Sequence, residues 1–385
     1  MNVQNEILGG SLTTLFRGFE DVQRLDNPDL GFTAIVAVHN TVLGPALGGC
    51  RRKPYRSEWE AYVDASRLAR GMTYKSALTN HHHSGLPLGG GKCVMIPWKS
   101  DKRIRKAQFR ALGEFIESMS GTYISAEDVG TNVSDIDEMA KSTRHVCGNM
   151  RGHPYHGDPS PFTAVGVLYG MLGALRALRG PYAVLANRSV YVEGIGKVGF
   201  ALAELLHKEG ARLFVSNRGE TVEECDALRR AQSELGATIV PLGKDGRPEV
   251  FPYVEIYAPC ALGGVVSEER IRSYPFELAI IAGSANNVLL DPARDGEILR
   301  NREILYAPDY AINNGGIRDI YHQHCDKNGA AKYDITAVLA GCRDNEKLLF
   351  EITSRALKEK KCPHEIADEM AEKVIAKKQQ VYHPT

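Results

Sequence analysis

Apolar and polar positions along the chain follow two rhythms. FTAIVAVHN (Phe32 to Asn40) and KCVMIPW (Lys92 to Trp98) are short runs rich in branched and apolar residues, which predicts strands. Between them, SEWEAYVDASRLARGMTYKSAL puts Ala61, Ala65, Leu68, Ala69 and Met72 on one helical face, with Ser57 as N-cap and Lys75 toward the helix end. KAQFRALGEFIESMSG repeats the helical spacing and closes near Gly121, and TYISAEDVG then reads as a strand. A long apolar-periodic helix is expected after Pro161. Beyond it, SVYVEGIGKVGFALAELLHKEGARLFVSNRGE runs strand, Gly194-x-Gly196-x-x-Gly199, helix, Gly210, strand: one βαβ unit. ATIVPL, VEIYAPC, LAIIAGSA and EILYAPDY follow as short apolar strands of an open parallel sheet. From about Arg343 the pattern is charged, amphipathic and helical.

These elements predict an α/β chain of two domains with a cleft between them. Residues 1–157 form an N-terminal α/β domain, 158–344 a Rossmann dinucleotide-binding domain, and 345–385 is expected to fold back onto the first. A length of 385 residues is enough for two buried cores.

Composition narrows the partners. Lys+Arg and Asp+Glu balance at 47 each, which points to neither nucleic acid nor an anionic membrane surface and leaves small molecules. The cysteines are scattered with no CxxC pair, as in a reducing cytoplasm. The start, MNVQNEILGG, lacks a basic segment ahead of an apolar one, and no apolar run approaches a membrane span. A soluble cytoplasmic protein is expected.

Candidate chemistry begins with GLPLGGGKCVMI (Gly85 to Ile96). A phosphate loop needs a glycine where Leu86 stands and a Ser or Thr where Cys93 stands, so that reading fails. What remains is Lys92 held at the mouth of a tight glycine turn. The GxGxxG run is a weak signal alone, but a strand enters it and a helix leaves it. Asn217 ends the second strand roughly 20 residues on, where such sites carry their ribose-binding residue. A pyrophosphate would rest on the helix N-terminus.

Seven segments in this order, LGPALGGCR (from Leu43), GMTYKSA (from Gly71), LGGGK (from Leu88), AEDVGT (from Ala126), YAPCALGG (from Tyr257), AGSANN (from Ala282) and YAPDYAINNGG (from Tyr306), resemble the glutamate, leucine, phenylalanine and valine dehydrogenases. The leucine, valine and phenylalanine branch is nearest. The resemblance implies reversible oxidative deamination of an L-amino acid to a 2-oxo acid and ammonia with NAD or NADP, an N-terminal domain for substrate and oligomerisation, and a homo-oligomer. It implies that Lys75 binds the substrate carboxylate, Lys92 activates water and polarises the carbonyl, and Asp128 moves protons to and from the amino group. Burial and a second ammonium nearby would favour an uncharged Lys92. Further substrate contacts are implied for Leu47, Gly48, Gly49, Met72, Asn286, Ile317 and Ile320. Cofactor contacts are implied for Gly194, Gly196, Lys197, Val198, Gly199, Asn217, Arg218, Cys260, Ala261, Ala282 and Asn286.

Each residue has a plainer reading. Lys75 could be a solvated helix-end lysine, Asp128 a loop acid or cap, Gly48 and Gly49 a turn, and Asn286 a turn former. Catalysis is favoured over a nucleotide-binding sensor because Lys75, Lys92 and Asp128 occur together. The resemblance implies that Leu47, Ala126, Ile317 and Ile320 occupy the side-chain wall, and their apolar character favours leucine- or valine-like substrates, with phenylalanine or another aromatic amino acid as the alternative. Asn217 in place of an acid, with Ser216 and Arg218 beside it, suggests tolerance of NADP. The segment from Lys75 to Lys92 is longer than the branch pattern and carries His81, His82 and His83. Adjacent histidines diverge, so a polar loop is expected and no metal. His322 and His324 are expected in a loop after a helix.

Overall fold

In the computed structural model, which describes residues 12–81, 85–99, 101–149, 157–219, 222, 224–327, 329 and 331–382, the chain builds two separate sheets. The first half supplies α1 (Leu12–Leu15), β1 (Asp21–Asn27), β2 (Phe32–Asn40), β3 (Ala46–Arg52), α2 (Glu58–Thr79), β4 (Gly89–Pro97), α3 (Lys102–Ser118), β5 (Tyr123–Glu127) and α4 (Val133–Met139). Its strand order is β1-β2-β4-β3-β5, antiparallel from β1 to β4 and parallel from β4 through β5. Strands β2 and β4 are covered on both faces, hence their near-continuous apolar reading. Ala34, Val36 and Met95 pack under Phe109, Leu112 and Ile116 of α3, while Ile35, Ala37 and Val94 pack under Ala61, Ala65 and Ala69 of α2.

The triple glycine is not a turn. Gly89, Gly90 and Gly91 are the first three residues of β4, buried and without positive φ. Their function is close approach: a Cβ on Gly90 would stand 2.0 Å from the Thr73 backbone nitrogen of α2, and one on Gly91 2.8 Å from the Tyr123 ring. Gly48 and Gly49 likewise belong to β3 rather than to a turn, and a Cβ on Gly48 would stand 1.8 Å from the Gly91 carbonyl oxygen. Helix α2 therefore lies directly on the strands that carry the candidate chemistry.

The second half supplies α5 (Ser160–Arg179), β6 (Ser189–Glu193), α6 (Lys197–Lys208), β7 (Arg212–Ser216), α7 (Asp226–Leu235), β8 (Thr238–Ile239), β9 (Ile256–Pro259), α8 (Glu268–Arg272), β10 (Ile280–Ile281), α9 (Pro292–Asn301), β11 (Leu305–Tyr306), α10 (Asp309–Ile312) and α11 (Gly315–Lys327). All its strands are parallel in the order β11-β10-β9-β6-β7-β8. The chain winds outward from β6 to one edge, then restarts at β9 on the other side of β6. This is a doubly wound Rossmann sheet, with its switch point between β6 and β9. His322 and His324 lie inside α11 rather than in a loop, because no glycine or proline interrupts the helix before Gly329.

Three helices close the chain: α12 (Ile335–Arg343), α13 (Asn345–Glu359) and α14 (Pro363–Tyr382). Helix α13 lies along α5, where a Cβ on Gly173 would stand 2.1 Å from the Glu346 carbonyl oxygen. Helix α14 packs on α2, and Tyr74 donates to Glu372 at 2.8 Å. Among the described residues one helix, α5, is long and apolar enough to cross a membrane, and more than half of it is buried inside the protein.

Candidate active site

Ser57 caps the start of α2 by accepting from the Glu60 amide, and Lys75 sits near the other end of that helix, 8% exposed. Lys92 follows the three glycines on β4, 4% exposed, and Asp128 follows β5. Strand β3 runs between β4 and β5, and Gly49 on it leaves room for Asp128: a Cβ there would stand 2.7 Å from the Asp128 Cβ. Across that gap Lys92 Nζ reaches Asp128 Oδ2 at 2.7 Å. Arg51 Nε, from β3, reaches the same oxygen at 2.9 Å, while its Nη1 leans on Asp64 at 3.3 Å. The Asp128 amide donates to Thr131 Oγ1 at 2.8 Å, which fixes the loop.

The charges shape one another. Burial pushes the Asp128 carboxyl up, but Lys92 and Arg51 outweigh it and hold it well below the usual carboxylate range. Burial and the Lys92 ammonium bring Lys75 down to about 8, against the opposing pull of Asp309 and Asp128. Asp309, at the start of α10, is itself buried and raised by desolvation, and its Oδ2 accepts from the Val288 amide at 2.9 Å. Arg51 and Asp309 lie inside two of the quoted segments, LGPALGGCR and YAPDYAINNGG, but the pattern gives them no role there. Their part emerges only once strand order and domain packing bring them to the lysines.

Beside this polar group lies an apolar cluster. Leu47, Ala126, Ile317 and Ile320 come together, with Met72 packed against them and with Leu86, Leu88, Ile124 and Cys147, which the sequence pattern did not single out. Ile317 and Ile320 come from α11, so the cluster joins the two halves of the chain. Asn286 follows β10, and its Oδ1 accepts from Asn313 Nδ2 at 2.9 Å.

At the switch point, the three fingerprint glycines have separate reasons. Gly194 has φ +98, and a Cβ on it would stand 2.5 Å from the Ala261 Cβ, across the β6–β9 crevice. A Cβ on Gly199 would stand 1.9 Å from the Gly194 carbonyl oxygen, while one on Gly196, at the N-cap of α6, would meet nothing within 4 Å. Close helix packing beneath and open space above fit a dinucleotide pyrophosphate. Val198 packs into the core below, and Lys197 is exposed, 3.1 Å from Asp158. Cys260 and Ala261 follow β9, and Ala282 is wholly buried at the end of β10.

Strand β7 ends at Ser216, one residue before the expected Asn217. The Ser216 hydroxyl is paired with the Tyr191 hydroxyl at 2.7 Å in a buried setting. Asn217 Oδ1 accepts from the Ile195 amide at 3.3 Å. Arg218 is exposed but held, donating to the Asp245 carbonyl at 3.1 Å. His81 lies 3.1 Å from Glu351, and His82 and His83 lie outside the described residues. Among the described residues no group of three His, Cys, Asp or Glu is placed to hold a metal.

A Rossmann sheet facing a buried lysine pair and carboxylate across a two-domain cleft defines a nucleotide-linked dehydrogenase class. The family model described as Glu/Leu/Phe/Val dehydrogenase, dimerisation domain, matches residues 21–145, and that described as Glutamate/Leucine/Phenylalanine/Valine dehydrogenase matches residues 158–372. A leucine dehydrogenase of Geobacillus stearothermophilus is 43% identical over 303 residues, covering 78% of this chain and 77% of the relative. A phenylalanine dehydrogenase of Caldalkalibacillus thermarum is 36% identical, covering 93% and 92%. The solved structure of L-tryptophan dehydrogenase from Nostoc punctiforme superposes with a TM-score of 0.74 at 31% identity, covering 96% of this chain and 98% of that one. The chain belongs to the glutamate, leucine, phenylalanine and valine dehydrogenase family and is an amino-acid dehydrogenase, an oxidoreductase acting on a CH–NH2 group.

Proposed function

We propose that this enzyme reversibly deaminates an apolar, leucine- or valine-like L-amino acid to its 2-oxo acid and ammonia, using NAD or NADP. The observation that carries the substrate reading is the cluster of Leu47, Ala126, Ile317 and Ile320 set against the lysine pair. A side-chain carboxylate there would be desolvated without a partner. Met72 stands one helical turn before Lys75, so the α2 face that holds the carboxylate-binding lysine also holds part of the wall. The relatives named leucine dehydrogenase support the aliphatic reading. An aromatic amino acid is the second reading, supported by the phenylalanine and tryptophan dehydrogenases among the similar proteins.

In this reading the Lys75 ammonium holds the substrate carboxylate. A nicotinamide bound at the switch point supplies the hydride acceptor. Lys92 orients the water that adds to the iminium carbon, and the proton released passes within the Lys92–Asp128 pair. Asp128 returns a proton to the amino group, Lys92 takes the hydroxyl proton, and the C=O bond forms as the C–N bond breaks and ammonia departs. Arg51 holds the Asp128 carboxylate in place through the same oxygen that Lys92 touches. Gly48 and Gly49 act here by letting β3 lie close to Gly91 and Asp128, and Asn286, by the family resemblance, reaches toward substrate and nicotinamide.

Both nicotinamide dinucleotides are accepted in this reading, because Asn217 stands where a carboxylate would repel a 2′-phosphate, and Asn217→Asp shifts preference toward NAD. The family description of the N-terminal part as a dimerisation domain supports a homo-oligomer. Eight free cysteines, six of them buried as thiols, fit a cytoplasmic setting. The test is a panel of L-amino acids and 2-oxo acids assayed with NAD and with NADP. Leucine or valine is expected to have the highest kcat/KM; glutamate as best substrate would overturn the reading, and a preference for aromatic amino acids would establish the second.

A further inference from the structure

The segment after β8 folds into a small hairpin over residues 241–249 that no part of the chemistry above uses. It is tightly closed: the Gly243 amide donates to the Arg247 carbonyl at 2.7 Å, the Glu249 amide to the Pro241 carbonyl at 3.1 Å, and Leu242 and Pro248 pair as an antiparallel bridge. Its tip grips Arg218. The guanidinium donates to the Asp245 carbonyl at 3.1 Å, and the side chain lies across Gly246, where a Cβ would come within 2.4 Å of Arg218 Nε. Gly246 also has φ +74, so glycine is demanded there both by the backbone and by the arginine above it.

Beside this contact is a cavity of about 420 Å3 that opens onto Gly194, the first fingerprint glycine. Three guanidinium groups, Arg218, Arg247 and Arg270, line it against two carboxylates, Glu193 and Asp245. Glu193 is occupied below by Arg270 at 2.8 Å, and Asp245 Oδ1 accepts from the Arg247 amide at 3.0 Å. The Arg247 guanidinium rests on Glu269 at 3.0 Å and on Asp245 at 3.6 Å, solvent-exposed pairs of the kind that contribute little. Lys244 lines an adjoining cavity together with Asn217 and Arg218. Arg218 thus lines both cavities, with Arg247 of the hairpin in the first and Lys244 of the hairpin beside Asn217, a position that carries no acid, in the second.

We propose that hairpin 241–249 is the second half of a clamp for the adenosine 2′-phosphate of NADP(H), with Arg247 and Lys244 joining Arg218. The inference rests on the reading of Asn217 as the ribose-binding residue and adds the hairpin as the element that selects the phosphorylated cofactor. A phosphate dianion offers several acceptor oxygens to planar guanidinium forks, and such charge-assisted contacts are the stronger kind.

The test is equilibrium binding to the full-length protein, followed by calorimetry or protein fluorescence, of NADPH, NADH, 2′,5′-ADP and 5′-AMP. Wild type, Arg218→Ala, Lys244→Ala and Arg247→Ala are compared. Arg247→Ala is expected to weaken NADPH and 2′,5′-ADP about tenfold while leaving NADH and 5′-AMP within about twofold, which also shows the variant to be folded. The hairpin inference is overturned, and the Arg218 reading stands, if Arg247→Ala and Lys244→Ala leave 2′,5′-ADP binding unchanged while Arg218→Ala weakens it. Equal loss of NADH and NADPH in Arg247→Ala overturns it too, marking a structural role. If wild type binds 2′,5′-ADP no better than 5′-AMP, the dual-cofactor reading fails and the hairpin inference with it.

Discussion

Lys92 Nζ and Asp128 Oδ2 stand 2.7 Å apart across the glycine-lined edge of β3, in a site where both side chains are largely screened from solvent. Arg51 holds the carboxylate from the other side, so Asp128 keeps its place when Lys92 turns to substrate. In the proposed mechanism the pair is a proton reservoir in which lysine and carboxylate need each other. Asp128→Asn retains the shape but cannot accept a proton. It is expected to lower kcat about 10²- to 10⁴-fold with little change in KM for the 2-oxo acid, as seen by steady-state kinetics in both directions.

Lys75 carries a pH signature. Its folded value of about 8 lies below the ordinary lysine value of 10.5, so the unfolded chain binds more protons between the two. The sign follows: the charged, buried lysine costs stability below pH 8, and that cost is relieved as pH rises from about 8 to 10.5. Lys75→Met is expected to raise the melting temperature at pH 7 by removing up to about 3 kcal/mol of this cost, with the gain fading by pH 10. In wild type, the KM for the 2-oxo acid should rise as pH passes about 8 and the carboxylate anchor loses its charge.

Gly90 sets the distance between helix and strand. Gly90→Ala places a methyl 2.0 Å from the Thr73 backbone nitrogen, so α2 and β4 must part. Thermal or denaturant unfolding should show a loss of about 1–3 kcal/mol, and kcat/KM should fall at least about tenfold because Lys75 rides on α2 and Lys92 on β4. Unchanged kinetics would show that the spacing of the two lysines does not depend on this contact.

Ile320 reaches the apolar cluster from the second domain. Ile320→Ala should raise kcat/KM for phenylalanine relative to leucine by about tenfold or more, since room for a few methylenes is worth that much discrimination. A substrate panel on the variant measures it. An unchanged ratio would remove Ile320 from the side-chain wall.

Much of this architecture is visible in the chain itself, where local signals coincide. Ser57 with the spacing from Ala61 to Met72 marks α2, and the fingerprint glycines between two apolar runs mark the βαβ unit. What the pattern cannot show is why a glycine is needed. Gly89 to Gly91 look like a turn because glycine serves positive φ and close approach alike, and only the descent of α2 onto β4 shows which applies. Arg51 and Asp309 fall inside quoted segments, yet their roles are not legible there for a related reason, since their partners lie on other strands and in the other domain. Arg218 could equally have pointed into solvent, and its anchor on Asp245 depends on a hairpin that closes far along the chain.

In the proposed mechanism Lys92 activates water in the cleft while the nucleotide binds elsewhere. Lys92→Ala, assayed for turnover of the best amino-acid substrate and titrated in parallel with NADH or NADPH, separates the two. Turnover lower by several orders of magnitude with nucleotide affinity within about twofold of wild type is the expected result. Near-normal turnover in that variant would contradict the mechanism.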